Sequence, residues 1–192
     1  GILLTTEAHC AARILADLDP DLAGMLDAIP YAGSATVTLA YRREAIPHPL
    51  DGFGFVVPRT EGRPILACTF SSVKYPGRAP EGHVLLRLFF GGALQEDVLK
   101  MDDDGLEAAA RKHLAELLGV SGPPLLTRVY RYGAVMPQYL VGHLDRVAAI
   151  ESRLARHPGL AVAGSAFRGV GIADCIRTAE ESAEKLLEST KE

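Results

Sequence analysis

The segment Leu160–Leu187, LAVAGSAFRGVGIADCIRTAEESAEKLL, decides the expected fold because it combines a short strand, a glycine-rich turn and a helix. Leu160 to Ala163 is an apolar run typical of a strand buried on both faces of a sheet. Gly164, Gly169 and Gly171 then allow a tight turn, and apolar residues recur at helical spacing beyond it. The N-terminus of that helix presents unpaired N–H groups and a partial positive charge to the turn. This arrangement favours an anionic ligand.

The turn does not match the G-x-G-x-x-G fingerprint of dinucleotide-binding folds. Asp174 occupies the position of the last glycine, and the chain contains no G-x-x-x-x-G-K-[ST] run. Spacing alone therefore leaves two interpretations open, a purely structural turn and a ligand-binding one.

Composition limits the class of protein. The chain has 192 residues, of which 48% are hydrophobic and 23% charged, with a net charge of −4, so we expect a soluble globular protein and no nucleic-acid binding. No apolar run approaches the roughly 18 residues of a membrane span, and no cationic signal segment opens the chain. We expect a cytoplasmic protein and leave peripheral membrane association and homo-oligomerisation open.

The residues that usually bind metals or act as nucleophiles are scattered. The chain lacks C-x-x-C, H-E-x-x-H and G-x-S-x-G motifs, so we predict reduced thiols, no metal site and no catalytic side chain. The cysteines are Cys10, Cys68 and Cys175, and the histidines are His9, His48, His83, His113, His143 and His157.

The middle of the chain predicts an antiparallel or mixed five-stranded sheet with packing helices, an α+β fold. Ser34–Arg43 alternates between apolar and polar residues, as expected of a half-buried strand. Four further strands follow at 52–58, 65–72, 83–90 and 125–132, and a helix ends at Gly119. In the fourth strand Arg87 and Phe89 share a mixed face, which could line a cavity or simply expose Arg87 to water.

Three segments resemble one family. AGSAFRGVGIADCI, VMPQYLVGHLDRV (Val135–Val147) and DGFGFVVP (Asp51–Pro58) are similar to segments of the FAD-dependent protoporphyrinogen and coproporphyrinogen oxidases, within the amine-oxidase-like flavoproteins. The resemblance implies an oxidase of heme biosynthesis that converts a porphyrinogen to a porphyrin and passes electrons through FAD to oxygen. It does not distinguish the two porphyrinogens.

The resemblance also implies site residues. Backbone N–H groups at Val170, Gly171 and Ile172 would contact the pyrimidine end of the flavin, and we expect Gly171 to tolerate no side chain. The implied substrate wall consists of Phe53, Val56, Thr69 and Phe89. Phe53 and Val56 have opposite parity, so we expect a bulge at Gly52 and Gly54 to bring both to one ligand. His143 belongs to the second motif and is assigned a structural role.

The chain lacks the G-x-G-x-x-G segment that holds the FAD pyrophosphate in this family, and it opens within an apparent strand. We therefore expect part of a longer enzyme that binds FAD poorly on its own. The predicted organisation is flanking strand and helices at 1–29, a substrate-binding domain at 30–140, and the C-terminal part of an α/β FAD-binding domain at 141–192.

Two other functions remain open. One is a non-enzymatic tetrapyrrole- or lipid-binding module that keeps the sheet and has lost flavin. The other is a different amine-oxidase-like flavoenzyme, such as a relative of the carotenoid desaturases.

Overall fold

The computed structural model describes residues 1–189, and the chain divides into two compact units. One unit joins Gly1–Tyr31 to the chain from Pro137 onward, and the other is Ala32–Met136. The strands are β1 (Ile2–Leu4), β2 (Tyr31–Arg42), β3 (Gly54–Val56), β4 (Ile65–Phe70), β5 (His83–Gly91), β6 (Leu126–Pro137) and β7 (Leu160–Val162). The α-helices are α1 (Ala8–Leu15), α2 (Pro20–Asp27), α3 (Ser71–Lys74), α4 (Asp103–Leu118), α5 (His143–Leu154) and α6 (Ile172–Ser189). No helix within 1–189 is long and apolar enough to cross a membrane.

The first unit brings the two ends of the chain together. Strand β1 pairs in parallel with β7, with Ile2 opposite Leu160 and Leu4 opposite Val162. Helices α1, α2 and α5 share one apolar core, whose buried members include Leu22 and Ile150. The unit therefore depends on contacts between residues far apart in sequence.

A buried carboxylate links two of these helices. Asp19 caps α2 by accepting a hydrogen bond from the Leu22 N–H at 3.0 Å, as expected for an Asp-Pro helix start. Arg153, in the last turn of α5, and His157, three residues beyond the helix, each place a nitrogen 2.7 Å from Asp19 Oδ2. These hydrogen bonds, led by that of Arg153, hold the pKa of Asp19 well below its usual range.

The second unit is a five-stranded sheet in the order β3-β4-β5-β2-β6, which confirms the predicted α+β class. The pairs β3–β4, β4–β5 and β5–β2 are antiparallel. Helix α4 covers one face, where its buried residues Leu106 and Leu114 join Val37 and Leu88 in a single core. Asp102 caps this helix and Gly119 ends it with φ +68°. We call the side of this five-stranded sheet that lies opposite α4 the open face.

Candidate functional site

Three of the four predicted substrate residues lie on the open face. Residues opposite one another in antiparallel strands project to the same side, so the register places Val56, Ala67, Phe89 and Thr36 in one row. Thr69 lies in the next row, opposite Arg87. Val56 is 80% exposed, and Phe89 and Thr69 are half-buried. The face therefore carries apolar side chains beside the polar Thr69 and Arg87.

Phe53, the fourth predicted residue, precedes β3 and has the opposite parity to Val56. Strand β3 pairs with β4 without a register shift, so the expected bulge is absent from β3, and the irregularity lies between Ile65 and Ala67 of β4. The Phe53 carbonyl accepts a hydrogen bond from the Phe70 N–H at 2.9 Å. Its ring is nevertheless 66% exposed. Phe53 is therefore an exposed aromatic side chain directly before β3, outside the row that contains Val56 and Phe89.

Gly54 explains why the DGFGFVVP segment needs glycine. Its φ is +142°, and a Cβ built there would lie 2.1 Å from the Cys68 carbonyl oxygen of β4. A side chain at this position would separate the two strands. At Gly52 a Cβ would meet nothing within 4 Å.

The predicted flavin contacts lie on an exposed turn that leads into α6, whose first residue is Ile172. Val170 and Ile172 are 63% and 81% exposed. Within residues 1–189 the N–H groups of Ile172 and Ala173 have no acceptor, as expected for the first turn of a helix, and the first backbone bond there joins Cys175 N–H to the Gly171 carbonyl. Exposed N–H groups beside a glycine fit the carbonyl and anionic nitrogen of a flavin pyrimidine ring.

The strained glycine of this turn is Gly169. Its φ is +145°, and a Cβ there would lie 2.5 Å from Asp174 Cβ. The φ of Gly171 is outside the left-handed region, and its Cβ would lie 3.3 Å from Asp174 Oδ2, a tight contact with a side chain. Backbone conformation therefore requires glycine at position 169. A requirement for glycine at position 171 would have to come from a group that packs against it.

Two side chains of the VMPQYLVGHLDRV segment brace the turn. The Tyr139 hydroxyl donates to the Ser165 carbonyl at 2.5 Å and accepts from the Gly169 N–H at 2.9 Å. Nε2 of buried His143 donates to the Phe167 carbonyl at 2.8 Å. The rings of Tyr139 and His143 stack with their centroids 3.9 Å apart. Burial raises the pKa of Tyr139. The structure supports a structural role for His143, and Tyr139 is the brace that sequence reasoning missed, although its motif was visible.

A separate cavity of about 550 Å³ lies in the first unit. Its wall is formed by the end of α5, by β7 and by α6, with Leu154, Val162 and Thr178 among the lining residues. None of the predicted cofactor or substrate residues lines it.

The described residues contain no group of three or more His, Cys, Asp or Glu side chains that could hold a metal ion. All three cysteines are free, and burial raises the pKa of Cys68 to about 12. Cys68 is therefore an inert thiol in the core.

Comparison with known proteins identifies the family. The family model of the flavin containing amine oxidoreductases matches residues 2–187 of this chain. The chain belongs to this family. It is 39% identical over 190 residues to the coproporphyrinogen III oxidase of Propionibacterium freudenreichii subsp. freudenreichii, covering 98% of this chain and 36% of that protein. It is 32% identical to the chloroplastic protoporphyrinogen oxidase of Oryza sativa subsp. japonica, covering 96% of this chain and 36% of that protein.

A solved structure from Exiguobacterium sp. 255-15, provisionally described as a protoporphyrinogen oxidase, superposes with a TM-score of 0.81 at 29% identity. The match covers 99% of this chain and 41% of that one. The chain thus spans little more than a third of the length of the curated relatives it matches.

Proposed function

We propose that the protein from which this chain comes oxidises a porphyrinogen to a porphyrin in heme biosynthesis, with FAD as its cofactor and oxygen as electron acceptor. The observation that carries this proposal is the 39% identity to a coproporphyrinogen III oxidase across nearly the whole chain. An exposed apolar sheet face and a bare glycine turn are also the two surfaces that such a reaction needs from this part of the enzyme.

When bound, the flavin supplies the chemistry by accepting hydride from the macrocycle. Residues of this chain would bind and orient the flavin ring and the macrocycle. The N–H groups of Val170, Gly171 and Ile172 would donate to the pyrimidine end of the ring and stabilise the negative charge that develops there on reduction. Tyr139 and His143 would keep the turn in place. Val56 and Phe89 would contact one side of the macrocycle, and Thr69 makes that wall more polar. No side chain of the chain is assigned to proton transfer.

The pyrophosphate and ribose of FAD would be held by parts of the protein outside this chain, because no G-x-G-x-x-G loop occurs in it. We therefore expect the isolated chain to purify without flavin. Stoichiometric FAD absorbance in the purified chain would contradict this expectation.

The test of function uses the full-length protein. We expect a yellow protein that converts coproporphyrinogen III or protoporphyrinogen IX to a fluorescent porphyrin in air, with flavin reduction under anaerobic conditions. A flavin-containing protein that oxidises neither substrate would refute the proposal. A colourless protein that binds porphyrin would instead support the non-enzymatic module.

A further inference from the structure

The sheet of the second unit has an unusual charge distribution. Strands β2–β6 contain no aspartate or glutamate, although the chain as a whole carries a net charge of −4. Their basic residues besides His83 are Arg42, Arg87, Arg128 and Arg131. Any charge that these strands present to a ligand is therefore positive.

Two of these arginines lie on the open face. Arg87 lies opposite Thr38 on one side and Thr69 on the other. On β6, Val129 packs against the core beneath α4 and Arg131 donates to Asp103 of that helix. Because side chains alternate along a strand, Arg128 and Tyr130 point to the open face.

Arg87 and Arg128 lie on the two strands that flank β2. The Leu125 N–H bonds to the Ala40 carbonyl at 2.8 Å, and a Cβ on Gly33 would lie 3.2 Å from the Tyr132 carbonyl oxygen. These contacts show that β6 runs antiparallel to β2, and on the other side of β2 Arg87 lies opposite Thr38. At the usual strand spacing, β5 and β6 are about 10 Å apart across β2. Phe89, in the row next to that of Arg87, supplies an apolar surface beside it.

Neither arginine has an acidic partner among residues 1–189. Arg87 Nε donates to Thr38 Oγ1 at 3.1 Å, and Arg128 Nη1 donates to the Thr127 carbonyl at 2.8 Å. By contrast, Arg131 and Arg153 are paired with carboxylates. The remaining guanidinium N–H groups of Arg87 and Arg128 are therefore available to an external carboxylate.

We propose that Arg87 and Arg128 bind carboxylates of the porphyrinogen, one each, while Phe89 contacts its macrocycle. This inference rests on the proposed function. A porphyrinogen is an apolar ring with carboxylate arms at its rim, and a guanidinium forms two parallel hydrogen bonds with a carboxylate. An aromatic surface with a cation on either side of β2 matches both parts of such a ligand. The two arginines act as substrate-binding residues and take no part in hydride transfer.

The test compares R87Q, R128Q and R87K with a matched control, R111Q, in the full-length flavoprotein. Arg111 is an exposed residue of α4, on the other side of the sheet, and its guanidinium lies 3.9 Å from the Glu107 carboxylate. For each variant we would measure flavin content, melting temperature, the KM and kcat for porphyrinogen oxidation, and the Kd for coproporphyrin by fluorescence quenching at two salt concentrations.

We expect R87Q and R128Q to raise KM and Kd about tenfold each, the usual size of one charge-assisted hydrogen bond, with kcat within about twofold of wild type. Their binding should be less sensitive to salt, R87K should recover part of the loss, and R111Q should behave as wild type. Both arginines matching R111Q in KM and Kd would overturn the proposal, as would equal losses in R87K and R87Q. If the wild-type protein binds coproporphyrin without oxidising porphyrinogen, the proposed function fails while the Kd values still test the arginines.

Discussion

Alanine at Gly171 and at Gly169 should separate cofactor contact from backbone strain. At Gly171 the φ is outside the left-handed region, and the added methyl would meet a single side-chain oxygen at 3.3 Å. The crowding is small, and it is offset by the 0.4–1 kcal/mol or so that alanine contributes by restricting the unfolded chain. We therefore expect the free energy of unfolding of the G171A apoprotein to stay close to that of wild type.

At Gly169 the same change should destabilise the fold. Its φ of +145° is a region used almost only by glycine, which costs about 1–3 kcal/mol for another residue. The Cβ would also lie 2.5 Å from Asp174 Cβ and 2.6 Å from its Cγ, so Asp174 must move. Overpacking of this kind costs about 1–3 kcal/mol more. G169A should therefore lower the melting temperature by several degrees.

The assay measures the melting temperature of both apoproteins and the Kd for FAD of the full-length proteins. Apoproteins are needed because loss of a bound cofactor itself lowers apparent stability. If the flavin ring lies against this turn, a methyl at Gly171 costs about one hydrogen bond from a backbone N–H, or a roughly tenfold weaker Kd, and slows turnover. Normal flavin affinity and turnover in G171A would refute contact between this turn and the cofactor. A wild-type melting temperature in G169A would refute the strain argument.

Three further changes test the supporting structure. Tyr139→Phe removes two hydrogen bonds to the turn, and because the side chain is partly exposed it should lower the free energy of unfolding by about 1 kcal/mol. It should also weaken FAD binding. Unchanged thermal unfolding and FAD affinity would contradict the role of Tyr139 in holding the turn. Gly54→Ala should abolish soluble expression while its control Gly52→Ala does not, because only the first methyl overlaps a backbone carbonyl, and equal yields would contradict this reading. Asp19→Asn should flatten the acid dependence of the urea midpoint. The bond from Arg153 lowers the pKa of Asp19 in the folded state, so its stabilisation is complete above the ordinary value of about 3.8 and is lost as the pH falls below it; a steeper acid loss in the variant would be the opposite of this expectation.

Local signals were enough to predict most of the elements. The alternation of Ser34–Arg43 becomes β2 at Tyr31–Arg42, and the strand predicted at 83–90 becomes β5 at His83–Gly91. Gly119 ends α4 as expected, because a left-handed residue cannot continue a helix. These features depend on residues within a few positions of one another, where side-chain periodicity and glycine geometry act directly.

The sequence did not predict which distant segments pair as strands. Ile2 reads as a strand residue, but nothing near it shows that Leu160 is its neighbour. The segment 52–58 was predicted as one strand, yet β3 extends only over Gly54–Val56, because the extent and register of a strand are set by its partner. The bulge expected at Gly52 and Gly54 was wrong for the same reason.

The candidate site shows the same division between local and distant information. Parity along β6 separates Arg128 from Arg131, but it does not say which of the two faces α4. The structure answers this through the bond from Arg131 to Asp103, which lies 28 positions away. Once that helix is placed, Arg87 and Arg128 fall on the side that also carries Phe89 and Val56. A cationic and aromatic surface on an acidic chain thus results from where one helix packs, which no single strand of the sequence records.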